Sequence, residues 1–374
     1  MKKKFLSVLF TAALSMTMAV GSFSSGAFAE ETEAETAAQA DTADEAAEAE
    51  TAAQANAAGE AADAETAAET DTADEAADAV RIGALSGPTA MGLVKLMQDA
   101  EDGITENTYQ FADLSTDPST FVAPLAKGDI DIAAVPSNLA SVIYNNTDGT
   151  IEVLAVNTLG VLDIVERGDT VESFADLKGK TIYATGQGAT PEYSLRYLLS
   201  QNGLDPDQDV TIQWCADTTE ALSYISSDEA AIAMIPQPFA TVAQTKVDGL
   251  RIALVLNDEW NKLDNGSSLV TGVVVTRKAF AEDNPDKIAA FLKEYEVSAN
   301  YALTNIDETA ALIEKYGIVP GAVAKKALPD CNITYLTGSD MKAALSGYLQ
   351  ILNDQNPASI GGAMPGDDFY YEAE

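Results

Sequence analysis

Short apolar runs rich in Val and Ile recur from residue 80 onward, separated by longer stretches in which apolar residues return every three or four positions. Residues 81–85, 108–112, 130–135 and 151–156 form one set of runs, and 181–185, 210–214, 230–235 and 251–256 a second. Runs of this length and composition read as strands, and the stretches between them as helices. Strands alternating with helices imply parallel sheets joined by right-handed crossovers. The two sets keep one offset. Arg81-Ile82-Gly83-Ala84-Leu85-Ser86-Gly87 and Gly128-Asp129-Ile130-Asp131-Ile132-Ala133-Ala134-Val135-Pro136 are answered 100 positions later by Thr181-Ile182-Tyr183-Ala184-Thr185-Gly186 and Asp228-Glu229-Ala230-Ala231-Ile232-Ala233-Met234-Ile235-Pro236. Asp117/Asp217, Gly103/Gly203, Ala140/Ala240 and Asn157/Asn257 keep the same register. The pattern predicts two similar α/β lobes, an organisation that usually places a ligand between them.

In such sheets ligands lie beyond the carboxyl ends of the strands. Four pairs of segments occupy those ends. After the first strands come Ser86-Gly87-Pro88-Thr89 and Gly186-Gln187-Gly188-Ala189-Thr190-Pro191-Glu192. Thr190 is expected as an N-cap with Pro191 at the first helical position, and the glycines before it leave backbone N–H groups free to face a ligand at the positive helix end. Pro191 stands where a dinucleotide fingerprint would need its third glycine. In the second pair, Asp117 and Asp217 read as helix caps. The third, Pro136-Ser137-Asn138 and Pro236-Gln237-Pro238-Phe239, offers neutral donors and acceptors with Phe239 as a stacking face. The fourth is Asn157-Thr158-Leu159-Gly160 with Asn257-Asp258-Glu259-Trp260, where Trp260 is either a lid over a planar ligand or a core residue. The candidate ligand-binding residues are therefore Ser86, Gly87, Thr89, Ser137, Asn138, Thr158, Gly186, Gln187, Gly188, Thr190, Glu192, Gln237, Phe239 and Trp260.

The first 79 residues change the picture of where the lobes work. Lys2-Lys3-Lys4, an apolar stretch through Val20 and Ala27-Phe28-Ala29 read as a signal peptide over residues 1–29. Residues 30–79 hold three 15-residue units beginning Glu-Thr-Ala-Ala, at 35–49, 50–64 and 65–79, with no aromatic, branched aliphatic or basic residue. Such a segment has nothing to offset the entropy of ordering, so it is expected to be a disordered acidic spacer. It carries 17 of the chain's 59 acidic residues, and the leader carries three of the 21 basic ones. Residues 80–374 then keep 18 basic against 42 acidic residues, a net charge of −24, and nucleic acid is excluded as a natural partner. Histidine is absent, which removes the commonest general base, the Ser-His-Asp arrangement and the usual imidazole metal site. No catalytic, metal or cofactor constellation is legible. Cys215 and Cys331 are the only cysteines, and sequence leaves open whether they pair.

Gly128-Asp129-Ile130-Asp131-Ile132-Ala133, Asp176-Leu177-Lys178-Gly179-Lys180-Thr181-Ile182, Ile235-Pro236-Gln237-Pro238-Phe239-Ala240 and Val273-Val274-Val275-Thr276-Arg277-Lys278-Ala279-Phe280 followed by Asn284-Pro285 resemble recurring segments of the solute-binding proteins of bacterial ABC transporters. The resemblance is to the NitT/TauT-like branch, whose members serve nitrate, sulfonates, taurine and thiamine-precursor pyrimidines. It implies a type II periplasmic-binding-protein fold, two doubly wound lobes joined by two crossover segments near 160–165 and 271–275. Lobe 1 would comprise residues 80–162 and 273–374, and lobe 2 residues 163–272. It also implies a non-enzymatic role: capture of a small solute between the lobes and delivery to a permease with its ATPase. An enzyme of the pyrimidine-synthesis type on the same fold and a stalked surface adhesin are the alternatives. Gram-positive members usually carry a lipid-attachment cysteine after the leader, whereas Val20-Gly21-Ser22 stands here, so free secretion or a periplasmic location is expected. The strand-end loops contain no Lys or Arg, so an oxyanion would have to rely on helix N-termini and neutral donors, whereas Glu192, Glu259, Phe239 and Trp260 suit a planar nitrogen heterocycle, which is expected as the solute ahead of sulfonate or nitrate.

Overall fold

The computed structural model describes residues 78–372; the predicted leader and nearly all of the predicted spacer lie outside them. Chain order runs β1 (Val80–Ala84), α1 (Pro88–Met91), α2 (Val94–Glu101), β2 (Tyr109–Phe111), α3 (Val122–Lys127), β3 (Ile132–Pro136), α4 (Ser137–Asn146) and β4 (Ile151–Thr158). It continues through β5 (Leu162–Arg167), β6 (Thr181–Ala184), α5 (Thr190–Gln201), β7 (Thr211–Trp214), α6 (Thr218–Ser227), β8 (Ile232–Pro236), α7 (Phe239–Lys246), β9 (Leu250–Val255) and α8 (Leu256–Asn261). The last part holds β10 (Gly272–Arg277), α9 (Lys278–Asp283), α10 (Pro285–Thr304), α11 (Ile306–Lys315), α12 (Gly321–Ala327), β11 (Ile333–Leu336) and α13 (Gly338–Gln355).

The strands form two sheets, ordered β11-β4-β10-β3-β1-β2 and β7-β6-β8-β5-β9. Matched from their β2 and β7 edges, the two orders are the same, with β11 as the first sheet's one addition. The likeness extends to register. Ile82 lies opposite Ile132 as Ile182 lies opposite Ile232. Gly272 pairs with Pro136 and Thr276 with Ile132, as Leu162 pairs with Pro236 and Glu166 with Ile232. Each half thus has an antiparallel strand, β10 or β5, inserted beside its third parallel strand, and those two strands carry the chain between the sheets. The 100-residue sequence offset is the imprint of this shared register, and the two antiparallel strands repeat it at an offset of 110, residues 161–167 against 271–277.

Apolar residues on both faces of the central strands explain why the runs are continuous instead of alternating: Ile132, Ala133, Ala134 and Val135 are all at most 1% exposed. The predicted strands agree with the observed ones to within two residues at each end. The sequence pattern gives no sign of β11 or of the short helices α8 and α9. Cys215 and Cys331 are both buried free thiols.

The first crossover turns at Gly160. Its N–H donates to Asn257 Oδ1 at 3.2 Å and its carbonyl accepts from Asn332 Nδ2 at 2.5 Å. A Cβ at this position would stand 2.9 Å from Leu269 Cδ2 and 3.0 Å from Asn257 Cβ. Gly160→Ala is therefore expected to destabilise the protein by about 1–3 kcal/mol through overpacking at the crossover, read as a lower denaturation midpoint in urea. An unchanged midpoint would mean the two crossing segments can separate without loss.

Candidate functional site

The carboxyl ends of β1 and β3 lie side by side in one sheet and those of β6 and β8 in the other, and both crossovers leave from these ends. The loops after these four strands therefore converge next to the crossing segments. Two of them touch. Thr190, at the start of α5, donates its hydroxyl to Asn138 Oδ1 near the start of α4, at 3.1 Å. Here a hydrogen bond joins the tips of the two sheets. Asn138 is held in place by its amide, which donates to the Ser359 carbonyl at 3.3 Å.

Sequence and local geometry explain the shape of each loop. Gly87 has φ 111° and ψ −154°, a conformation essentially limited to glycine, and nothing lies within 4 Å of where its Cβ would be. Ser86 anchors the same loop by donating its N–H to the Ser115 carbonyl at 2.7 Å. On the opposing tip, Gly186 and Gly188 have φ 83° and 75°, which turns the chain sharply into α5. A side chain at Gly186 would strike Pro191 at 2.6 Å, whereas Gly188 and Gln187 are exposed.

Several predicted ligand groups are committed to holding the scaffold. The N-cap of α5 is Ala189, with Thr190 as the first helical residue, so the Thr190 hydroxyl bonds across to Asn138 instead of capping. Glu192 accepts from the Gly188 N–H at 2.7 Å and from Arg196 Nε at 2.8 Å, which closes the glycine loop locally. Ser137 donates its hydroxyl to the Val270 carbonyl at 2.6 Å. Thr158 donates to Asn157 Oδ1 at 3.1 Å, and the Thr89 carbonyl accepts from Asn157 Nδ2 at 3.0 Å. Trp260 is the clearest correction: it is fully buried between Tyr197 and Tyr348, at ring distances of 4.8 and 5.4 Å, with its indole N–H on Ser267. It is a core residue and no lid. Phe239 is 45% exposed at the start of α7. The capping roles of Asp117 and Asp217 hold, each accepting a backbone N–H of the first helical turn.

Gln237 leads to a group not singled out from the sequence. Its Nε2 donates to Asp163 Oδ2 at 2.8 Å, and its Oε1 accepts from the Thr241 hydroxyl at 2.9 Å. Asp163 lies on β5, one residue into the strand that follows the first crossover, and is 2% exposed. Burial pushes its carboxyl up to about 7; the Gln237 hydrogen bond opposes this, and the charges of Asp330 and Asp258 add to it. The signal was present as one charged residue inside Val161-Leu162-Asp163-Ile164-Val165. The tip loops themselves contribute neutral polar groups and one carboxylate, Glu192. Surface cavities of 470 to 810 Å³ occur elsewhere, and none of the candidate residues lines them. Among the described residues no group of three His, Cys, Asp or Glu side chains is placed to hold a metal ion.

A structure from Parabacteroides distasonis described as an ABC transporter superposes with a TM-score of 0.67 at 24% identity, covering 79% of this chain and 100% of that one. The periplasmic aliphatic sulphonate binding protein of Escherichia coli gives a TM-score of 0.63 at 18% identity, covering 79% and 93%. The chain has the periplasmic-binding-protein fold. Residues 151–309 match the family model described as NMT1/THI5 like, a match that begins at β4 and runs through the second sheet into α11. A Brucella abortus (strain 2308) protein described as a binding protein is 21% identical over 195 residues, 52% of this chain and 58% of that relative. The aligned region thus spans little more than half of the curated relative's length. The resemblance to solute-binding proteins of ABC transporters read from the sequence motifs agrees with these matches, and the relatives quoted are described as binding or transport proteins.

Proposed function

We propose that this protein is an extracytoplasmic receptor that captures a small organic solute between its two sheets and presents it to an ABC permease and its ATPase. Lobe 1 would be residues 80–162 with 273–374, and lobe 2 residues 163–272. The observation that carries the reading is the meeting of strand-end loops from different sheets at Asn138 and Thr190, beside both crossing segments. A solute that touches both tips when they are shut, and one when they are apart, shifts the population toward closure by its differential affinity alone. A neutral or weakly basic planar heterocycle fits better than sulfonate or nitrate. The tip loops hold no cation, and Glu192 already occupies the first turn of α5, where an anion would otherwise be favoured.

A thermal-shift panel of pyrimidines and other heterocycles, alkanesulfonates, taurine, nitrate and amino acids tests this. A ligand at a hundredfold excess over its Kd stabilises the fold by about 2.7 kcal/mol, a shift of several degrees. Recovery of the stabilising solute unchanged supports the receptor; its conversion would establish an enzyme, and silence across the panel would favour a macromolecular partner. Within the same screen, Asn138→Ala is expected to weaken binding about tenfold, by loss of one interlobe polar contact, with the fold retained.

A further inference from the structure

The two sides along which the sheets meet are built differently. On one flank, α13 lies against α5 and the first sheet. A single apolar cluster runs from Ile143, Val153 and Val273 of the first sheet and its helix, through Leu345, Tyr348 and Leu349 of α13, to Leu195, Leu198 and Trp260 on the second-sheet side. Polar contacts reinforce it. The Tyr348 and Ser194 hydroxyls are 3.0 Å apart, Gln355 Nε2 donates to the Tyr193 carbonyl at 3.2 Å, and Asn356 Nδ2 donates to the Tyr193 hydroxyl at 2.9 Å. Gly347 packs so tightly on the returning crossover that a Cβ there would stand 2.9 Å from Ser267 Cβ.

On the other flank, α12 lies against α7. The apolar residues that each buries belong to separate clusters: Ala324, Ala327, Leu328 and Cys331 on the first-sheet side, and Ala240 and Ala243 on the second. Among the described residues, no hydrogen bond or ion pair joins α12 to α7. Phe239 stands 45% exposed at the start of α7. At the crossover end of this flank, Asp330 from the first-sheet side acts on Asp163 and Asp258 from the second as one like charge on another.

We propose that the lobes open on one side only: α13 is a permanent strap that stays packed on α5, and the mouth through which solute passes lies between α12 and α7. Opening the strapped flank would bring two fully buried aromatic residues, Trp260 and Tyr348, into water and leave the Tyr193 and Ser194 contacts unmade. Parting α12 from α7 breaks into neither apolar cluster and relieves the repulsion of Asp330 with Asp163 and Asp258. The preference does not depend on which solute is bound. The inference rests on the receptor reading in that it assumes hinged lobes, and it is tested without solute.

Cysteine pairs for spin labels are placed at exposed positions on each flank, Lys326→Cys with Thr245→Cys across the mouth and Ser200→Cys with Gln350→Cys across the strap; the native thiols are buried and stay in place. In ligand-free protein the mouth pair is expected to give two distance populations and the strap pair one. Hydrogen exchange on the unmodified chain should agree, with amides of α12 and the first turn of α7 exchanging at least about tenfold faster than those of α5 and α13. Two populations at both pairs, or a long population at the strap alone, would overturn one-sided opening and leave the hinged receptor standing. A single population at both would overturn both readings.

Discussion

Trp260→Ala is expected to lower the free energy of unfolding by about 3–5 kcal/mol, because it empties a site with no solvent exposure between Tyr197 and Tyr348. The loss has two parts: the transfer energy of a large aromatic side chain, and a cavity that the surrounding rings fill only partly. Since the apolar cluster that contains Trp260 runs through both sheets, the loss is expected as one cooperative shift of the urea midpoint, with no separate early transition. A lid over the solute would behave in the opposite way, leaving the midpoint unchanged while weakening binding. Equilibrium denaturation of the variant beside a binding titration separates the two.

Asp163→Asn is expected to stabilise the protein at pH 8 by about 2–4 kcal/mol and to leave it almost unchanged at pH 4. The folded carboxyl is raised to about 7 by burial, while the unfolded chain titrates near the ordinary value of about 3.9. The fold therefore binds this proton more tightly than the unfolded chain does. The associated stability is fully present below the unfolded value and is lost as pH rises through about 7. Asparagine keeps an acceptor for Gln237 Nε2 and removes the buried charge. The check is a series of denaturation curves from pH 4 to 8.5 for both proteins. The gap between them should open with rising pH; parallel curves would mean that Asp163 is solvated in the folded state.

Much of the architecture was legible because the same strand order and pairing are used twice. Repetition of Gly128–Pro136 as Asp228–Pro236 marks the third strand of each sheet, and the family resemblance places the crossing segments near 160–165 and 271–275, where β5 and β10 stand. What escaped were elements that break the repetition. β11 has only four residues and no counterpart in the second sheet, and α8 is a six-residue helix with no counterpart between β4 and β5. The loops were located correctly, but the roles of their side chains were harder to read. Gln237 and Ser137 look like free polar groups in a linear sequence, whereas their partners Asp163 and Val270 lie 74 and 133 residues away; Glu192 is taken up locally by Gly188 and Arg196. Nothing in the sequence around Trp260 indicates that α13 and α5 enclose it. Asp163 carries no such mark, because one acid in an apolar run gives no sign of which face it occupies.

The claim on which the account turns is that a small molecule is held between the tips of the two sheets. Its most direct test is a crystal structure with whichever member of the solute panel stabilises the protein. The account predicts density bounded by residues 86–89 and 137–138 on one side and 186–190 and 237–239 on the other. Density instead in a flank cavity, such as the 810 Å³ one lined by Glu152, Lys278 and Tyr370, would contradict it.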